Sequence, residues 1–191
     1  MRYLPVALVF AWCLTVVPLS AGAAGPALKV RPIGSDCTNG TFRVGALVLC
    51  NVSDALSSRP LIRREQKTFE LLMQKDTEMA GLGWVGAQAL TGSKLLVGVL
   101  DWQIESSGTA LTVVRSIDGG TSWVRVSDIS KPHDMAQFKS LELRSATHWV
   151  VQIALDDCAD CGVKTGVRIW ETADAGQHWS PREERSAQHG Q

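Results

Sequence analysis

The eight residues 116–123, SIDGGTSW, return at 172–179 as TADAGQHW. Both copies read Ser or Thr, any residue, Asp, any, Gly, any, any, Trp. The shared places are Ser116, Asp118, Gly120 and Trp123 in the first copy, and Thr172, Asp174, Gly176 and Trp179 in the second. A match at four positions, recurring after 56 residues, marks an internal repeat. A period of that length implies stacked units, each a single supersecondary element that buries its apolar face against a neighbour.

The flanking residues say what one unit contains. From Gly83 onward, short apolar runs alternate with turn residues: WVGAQAL, the turn TGSK, LLVGVLDW, TALTVVRS, the first octapeptide and WVRVSD. After ISKPHDMAQ the order repeats as FKSLELR, SAT, HWVVQIALDD, a cysteine loop, GVRIWET and the second octapeptide. Four β-branched runs per period predict an antiparallel meander in each unit. A third, eroded unit is expected upstream. There VGALVLCNVS supplies a strand and LIRREQKTFELLMQ a hairpin with a shortened turn, Arg63 standing for Arg115 and Phe69 for Trp123. Leu61, Phe69, Leu72 and Met73 also suit a helix over 61–79; the parallel with the later hairpins favours strands. The expected fold is all-β: antiparallel four-stranded blade-like sheets, two clear and one degenerate, in a partial or propeller-like stack. The units are expected at 24–82, 83–130 and 131–180, with a frayed polar tail at 181–191.

The octapeptide has a physical logic of its own. Asp118 and Asp174 are placed to accept hydrogen bonds from turn N–H groups. Gly120 and Gly176 permit positive φ without a Cβ clash. Trp123 and Trp179 open the next strand and can lay an indole over the turn. These residues resemble the Asp-box, or bacterial neuraminidase repeat, found in sialidases, in the sortilin ectodomain and in the photosystem II assembly-factor family. The resemblance covers the two octapeptides and their flanking strands, and it implies blade-type sheets. It would also imply a sialidase, whose chemistry needs a tyrosine nucleophile, an acid/base aspartate, three arginines and six blades. The one tyrosine here is Tyr3, within the apolar leader, and Arg31-Pro32-Ile33 scrambles the Arg-Ile-Pro order of those enzymes. No catalytic residue is therefore assigned. Arg115 and Arg168, each ahead of an octapeptide, are weighed as anion ligands and read as lying on a solvated strand face or pairing with a neighbouring acid.

Address and partners follow from the ends and the cysteines. Residues 1–23 carry Arg2, an apolar run and Ala21-Gly22-Ala23, the layout of a cleaved secretory signal. Removing them takes one of the 19 basic residues and none of the 19 acids, so the remainder is nearly neutral. That balance gives no general attraction to nucleic acid or anionic lipid. Cys37, Cys50, Cys158 and Cys161 remain, an even number in an exported chain, which favours disulfides. The expected pairs are Cys37–Cys50, across the turn Asn39-Gly40, and Cys158–Cys161. For the latter, Asp156, Asp157 and Asp160 disfavour a reactive thiolate, and the scattered histidines offer no zinc spacing. No cofactor or metal is implied. Two or three blades cannot close a ring, so either the edges are covered or a second copy completes it. The role expected is an exported, non-catalytic protein-binding module, such as an inhibitor, immunity protein or assembly factor. A reduced Asp-box glycoside hydrolase is the alternative. Asp101, Trp102, Lys131, His133 and Asp134, in or beside the longest polar loops, are the candidate partner-binding residues. Asn39 and Asn51 head Asn-x-Thr/Ser sequons.

Overall fold

A computed structural model describes residues 25–34, 39–53, 58–72, 81–102, 110–132, 136–156 and 165–186. Within them the chain is all-β and antiparallel, as its patterning predicts. A single strand, β1 (Ala27–Ile33), precedes three four-stranded meanders. The first holds β2 (Asn39–Val44), β3 (Leu47–Ser53), β4 (Ser58–Arg64) and β5 (Lys67–Leu72). The second holds β6 (Leu82–Ala89), β7 (Leu96–Trp102), β8 (Ala110–Ser116) and β9 (Trp123–Ser130). The third holds β10 (Gln137–Leu143), β11 (Trp149–Leu155), β12 (Gly166–Thr172) and β13 (Ser180–Ser186). Within 61–79, residues through Leu72 are strand rather than helix, and 73–80 lie outside the described residues. Residues 181–186, expected in the frayed tail, are the greater part of β13. Trp170 pairs with Pro181 and Gly166 with Ser186, so backbone pairing holds this polar sequence in place.

The middle meander explains the stack. Side chains alternate across a strand, so a run that is apolar at every position must be covered on both faces. In β7, Leu96 and Leu100 enter one core while Val97 and Val99 enter the other. In β8, Val114 faces the first core and Leu111 and Val113 the second. The first core adds Leu28, Leu47, Leu49, Ile62 and Trp123, and the second adds Trp149, Val151, Ile153 and Leu155. Trp84, Trp123 and Trp149 are fully buried. An indole that removes 150–250 Å² from water gains on the order of 4–6 kcal/mol of transfer free energy, an upper bound.

Strand β1 is the element that sequence periodicity does not foretell. It pairs with β5 from Lys29–Leu72 to Ile33–Thr68, and with β9 through Ala27–Val124 and Leu28–Trp123. One nine-stranded sheet results, in the order β2-β3-β4-β5-β1-β9-β8-β7-β6, and β6 also lies against β2. The first two meanders therefore form a nearly closed barrel around the first core, and the third packs on its outside through β10 and β6.

Two strand glycines make room for this packing. A Cβ at Gly98 would stand 2.3 Å from Cζ3 of Trp84, and one at Gly86 would stand 2.3 Å from Cζ of Phe138. Trp84 is tied to the first meander as well. The Asn51 side chain accepts its N–H at 2.7 Å and donates to its carbonyl at 3.1 Å, while the indole N–H reaches the Leu61 carbonyl at 3.0 Å. Asn51 thus acts as a piece of strand backbone between β3 and β6, so the asparagine of this sequon is buried and already engaged. Gly98→Ala is expected to destabilise the protein by about 1–3 kcal/mol, since overpacking moves a buried indole. The urea midpoint checks this; an unchanged value would mean that Trp84 moves freely.

Candidate functional site

Each octapeptide is a turn whose polar groups close on themselves. In the first copy the Ser116 hydroxyl donates to Asp118 Oδ1 at 2.8 Å and accepts the Gly120 N–H at 2.8 Å. Asp118 Oδ1 accepts the N–H groups of Thr121 and Ser122 at 3.0 and 2.9 Å, and Oδ2 accepts the Ser122 hydroxyl at 2.6 Å. The Trp123 indole donates to the Gly120 carbonyl at 3.2 Å, and its ring lies 5.5 Å from that of Trp84. Gly119 and Gly120 both have positive φ, 74° and 88°.

The second copy repeats the arrangement. Thr172 Oγ1 donates to Asp174 Oδ1 at 2.7 Å and accepts the Gly176 N–H at 3.1 Å. Asp174 Oδ1 accepts the His178 N–H at 3.0 Å, and Oδ2 meets His178 Nδ1 at 2.6 Å. Ala175, with φ 60°, stands where the first copy has Gly119. Its N–H is held by the Thr147 carbonyl at 2.8 Å.

Both turns also dock on the preceding meander. A Cβ at Gly120 would fall 2.1 Å from Leu47 Cδ1, and one at Gly176 would fall 2.9 Å from Val126 Cγ1. The Trp179 indole donates to Ser127 Oγ at 2.8 Å, and that hydroxyl donates to the Gly176 carbonyl at 2.6 Å. Sequence reasoning found the octapeptides and missed Ser127 and Leu47. Nothing local marks either residue as a partner of a turn about 50 or more residues away in the chain.

The carboxylates carry this saturation in their acidity. Burial alone would raise Asp174, but hydrogen bonds from His178 and Thr172 outweigh it and lower the group from 3.8 to about 2. Burial likewise opposes Asp118, whose bonds from Ser122, Ser116 and Thr121 hold it below its ordinary value. Asp174 therefore contributes its full stability above about pH 4 and loses it as the pH falls towards about 2.

The other candidate residues divide. Lys131 Nζ lies 3.2 Å from both Asp101 oxygens, and the two side chains are 4% and 10% exposed, so they form a buried ion pair rather than a surface offered to a partner. Trp102 ends β7 opposite Leu82, and its side chain lies outside the described residues. His133, Asp134, Cys37, Cys158 and Cys161 also lie outside them. Cys50 is fully buried and disulfide-bonded. Register places Arg115 beside Val97 and Arg168 beside Ile153, so both point into the interface between the second and third meanders. Burial lowers the Arg115 pKa. Among the described residues, no three His, Cys, Asp or Glu side chains gather as a metal site.

On the outer face and turn of the third meander, Arg144 bridges Glu142 at 3.1 Å and Glu171 at 3.3 Å. His148 and Arg182 also contact Glu171. The hydrogen bond from His148, helped by the two arginines, lowers the Glu171 pKa, and the bond to Glu142 raises that of Arg144.

No family model matches the chain, and no curated protein matches it. The crystal structure of a protein provisionally described as a conserved lipoprotein from Clostridium novyi NT is similar over 84% of this chain and 96% of that one. Identity is 12% and the TM-score 0.47. No role follows from a likeness at that level.

Asp118→Ala is expected to cost about 1–3 kcal/mol, because turn N–H groups lose their acceptor. Thermal melts at pH 7 measure it. Acid titration of the wild type should show stability falling between about pH 4 and 2, and Asp174→Ala should lack that component.

Proposed function

We propose that this chain is an exported, non-catalytic protein-binding module of the Asp-box type, acting as an inhibitor, immunity protein or assembly factor in the periplasm or outside the cell. One observation carries the reading. The carboxylates and indoles of both octapeptides, the groups best suited to chemistry, are engaged by their own turns and by adjacent sheets. What such a scaffold has left to offer is surface.

The leader at 1–23 supports export. Ion pairs on the faces turned away from the middle meander support a self-standing module over a fragment of a ring. On the first meander, Glu70 is buried against Arg31 at 2.6 Å and Arg59 at 3.9 Å. On the third, the Glu142–Arg144–Glu171–Arg182 network covers the turn end of the face where a further blade would pack. Terminal repeats of stacked proteins carry polar outer faces for this reason.

The competing reading, a reduced glycoside hydrolase, needs one carboxyl group with a raised pKa to serve as general acid. Glu142 and Glu171 are the pair that Arg144 brings together, and Glu171 is shifted the opposite way. A panel of fluorogenic glycosides should show no turnover by the mature chain, and gel filtration should give a monomer. Hydrolysis that is abolished by Glu171→Gln would overturn the proposal.

A further inference from the structure

Among the described residues, most carboxylates meet a cation. Arg31 and Arg59 meet Glu70, Arg125 meets Asp128, Lys131 meets Asp101, and Arg144 and Arg182 meet Glu171. One region gathers several cations without such a partner. The tight turns of the first two meanders lie at the same end of the barrel, where Arg64 Nη1 donates to Thr121 Oγ1 at 2.9 Å. On the other flank of the octapeptide, the Gly119 N–H is held by the Lys94 carbonyl at 3.0 Å.

This end collects Arg43, Arg63, Arg64, Lys67 and Lys94 against Glu65 and Asp118, five cations to two acids. Asp118 is already engaged by its own turn. Arg43, Lys67 and Lys94 are exposed, and with Arg63 they make no ion pair with the described residues. Arg64 stands directly opposite Lys67 across the hairpin. Like charges so placed destabilise a strand pair, so folding does not favour the arrangement.

Apolar features share this cationic end. Ile117, at the second place of the octapeptide, is 71% exposed, whereas the second copy has Ala173 there. The same end holds a cavity of about 70 Å³ lined by Val30, Ile62, Phe69 and Gly120, with Arg64 and Thr121 among its walls. The Arg64 guanidinium lies 5.4 Å over the Phe69 ring, which holds the cation next to the apolar recess.

We infer that this end of the first two meanders docks an acidic segment of a partner protein that brings one small apolar side chain into the recess. The inference rests on the binding-module reading above. Positive charge without internal partners would speed encounter with an acidic surface and fix its orientation. The recess adds what charge alone cannot, a place for one anchoring side chain. That requirement favours a peptide chain over a lipid headgroup or a nucleic-acid backbone, which present charge without a projecting aliphatic group.

The test uses the mature protein and two synthetic peptides, acetyl-Glu-Glu-Val-Glu-Glu-amide and its all-Gln counterpart, followed by amide and methyl NMR shifts. Saturable shifts are expected at Ile117, Thr121 and Phe69 with the acidic peptide. Affinity should be about tenfold or more weaker for the Gln peptide and for the double variant Lys67→Glu/Lys94→Glu, and should fall with added salt. Ile117→Ser should weaken binding without altering the salt dependence. Absent binding, equal binding of the Gln peptide, or shifts confined to other regions would overturn the assignment. So would phosphatidylglycerol vesicles or heparin fragments binding these residues more tightly than the peptide does. A stoichiometric natural partner that copurifies equally with the wild type and the double variant would remove this face and leave the binding-module reading standing. Glycoside turnover would remove that reading itself.

Discussion

The structure depends on a middle meander that is apolar on both faces. Val97, Val99, Leu111 and Val113 point one way, and Leu96, Leu100 and Val114 the other. A sheet of this kind cannot exist in water with one partner, because either face left bare would expose several buried aliphatic side chains. The outer meanders are thus obligatory covers. Each turns an apolar face to the middle and carries an ion pair on the opposite face, Glu70 with Arg31 at one end and Glu171 with Arg144 at the other. Three layers are the smallest stack that satisfies the middle one.

The octapeptide turns give those layers their register. Hydrogen bonds within the turn are local, but the glycine at the fifth place is pressed against the preceding layer, and the Trp at the eighth lies over the same seam. A turn that is fully bonded internally is rigid, and a rigid turn transmits its position to the next sheet. The same saturation leaves the carboxylates with little to give a substrate.

Much of this was legible beforehand, for a definite reason. Strand alternation, the 56-residue period and the Asp, Gly and Trp of each turn are properties of near neighbours, so each leaves a mark in the order of residues. The shortened hairpin at Glu65 and Gln66 was readable by analogy with the later units. Its Phe69, matched in sequence with Trp123, packs differently: it points towards the following meander and leaves part of the space there as a recess. The extent of β13 was missed because SPREERS reads as a solvated tail. Asp101 and Lys131, about 30 residues apart, looked like loop charges and proved to be each other's partner.

The sequence by itself determined an all-β chain of repeated four-stranded units, with turns that satisfy their own polar groups. These features follow from dihedral preference, side-chain alternation and hydrogen bonds spanning a few residues. The tertiary structure alone decided that β1 would join β5 to β9, that Asn51 would serve as a strand for Trp84, and that Ser127 would hold the second octapeptide. Those contacts join residues tens of positions apart. Their energy depends on shape and distance after the sheets have stacked, and the linear order of residues does not encode that.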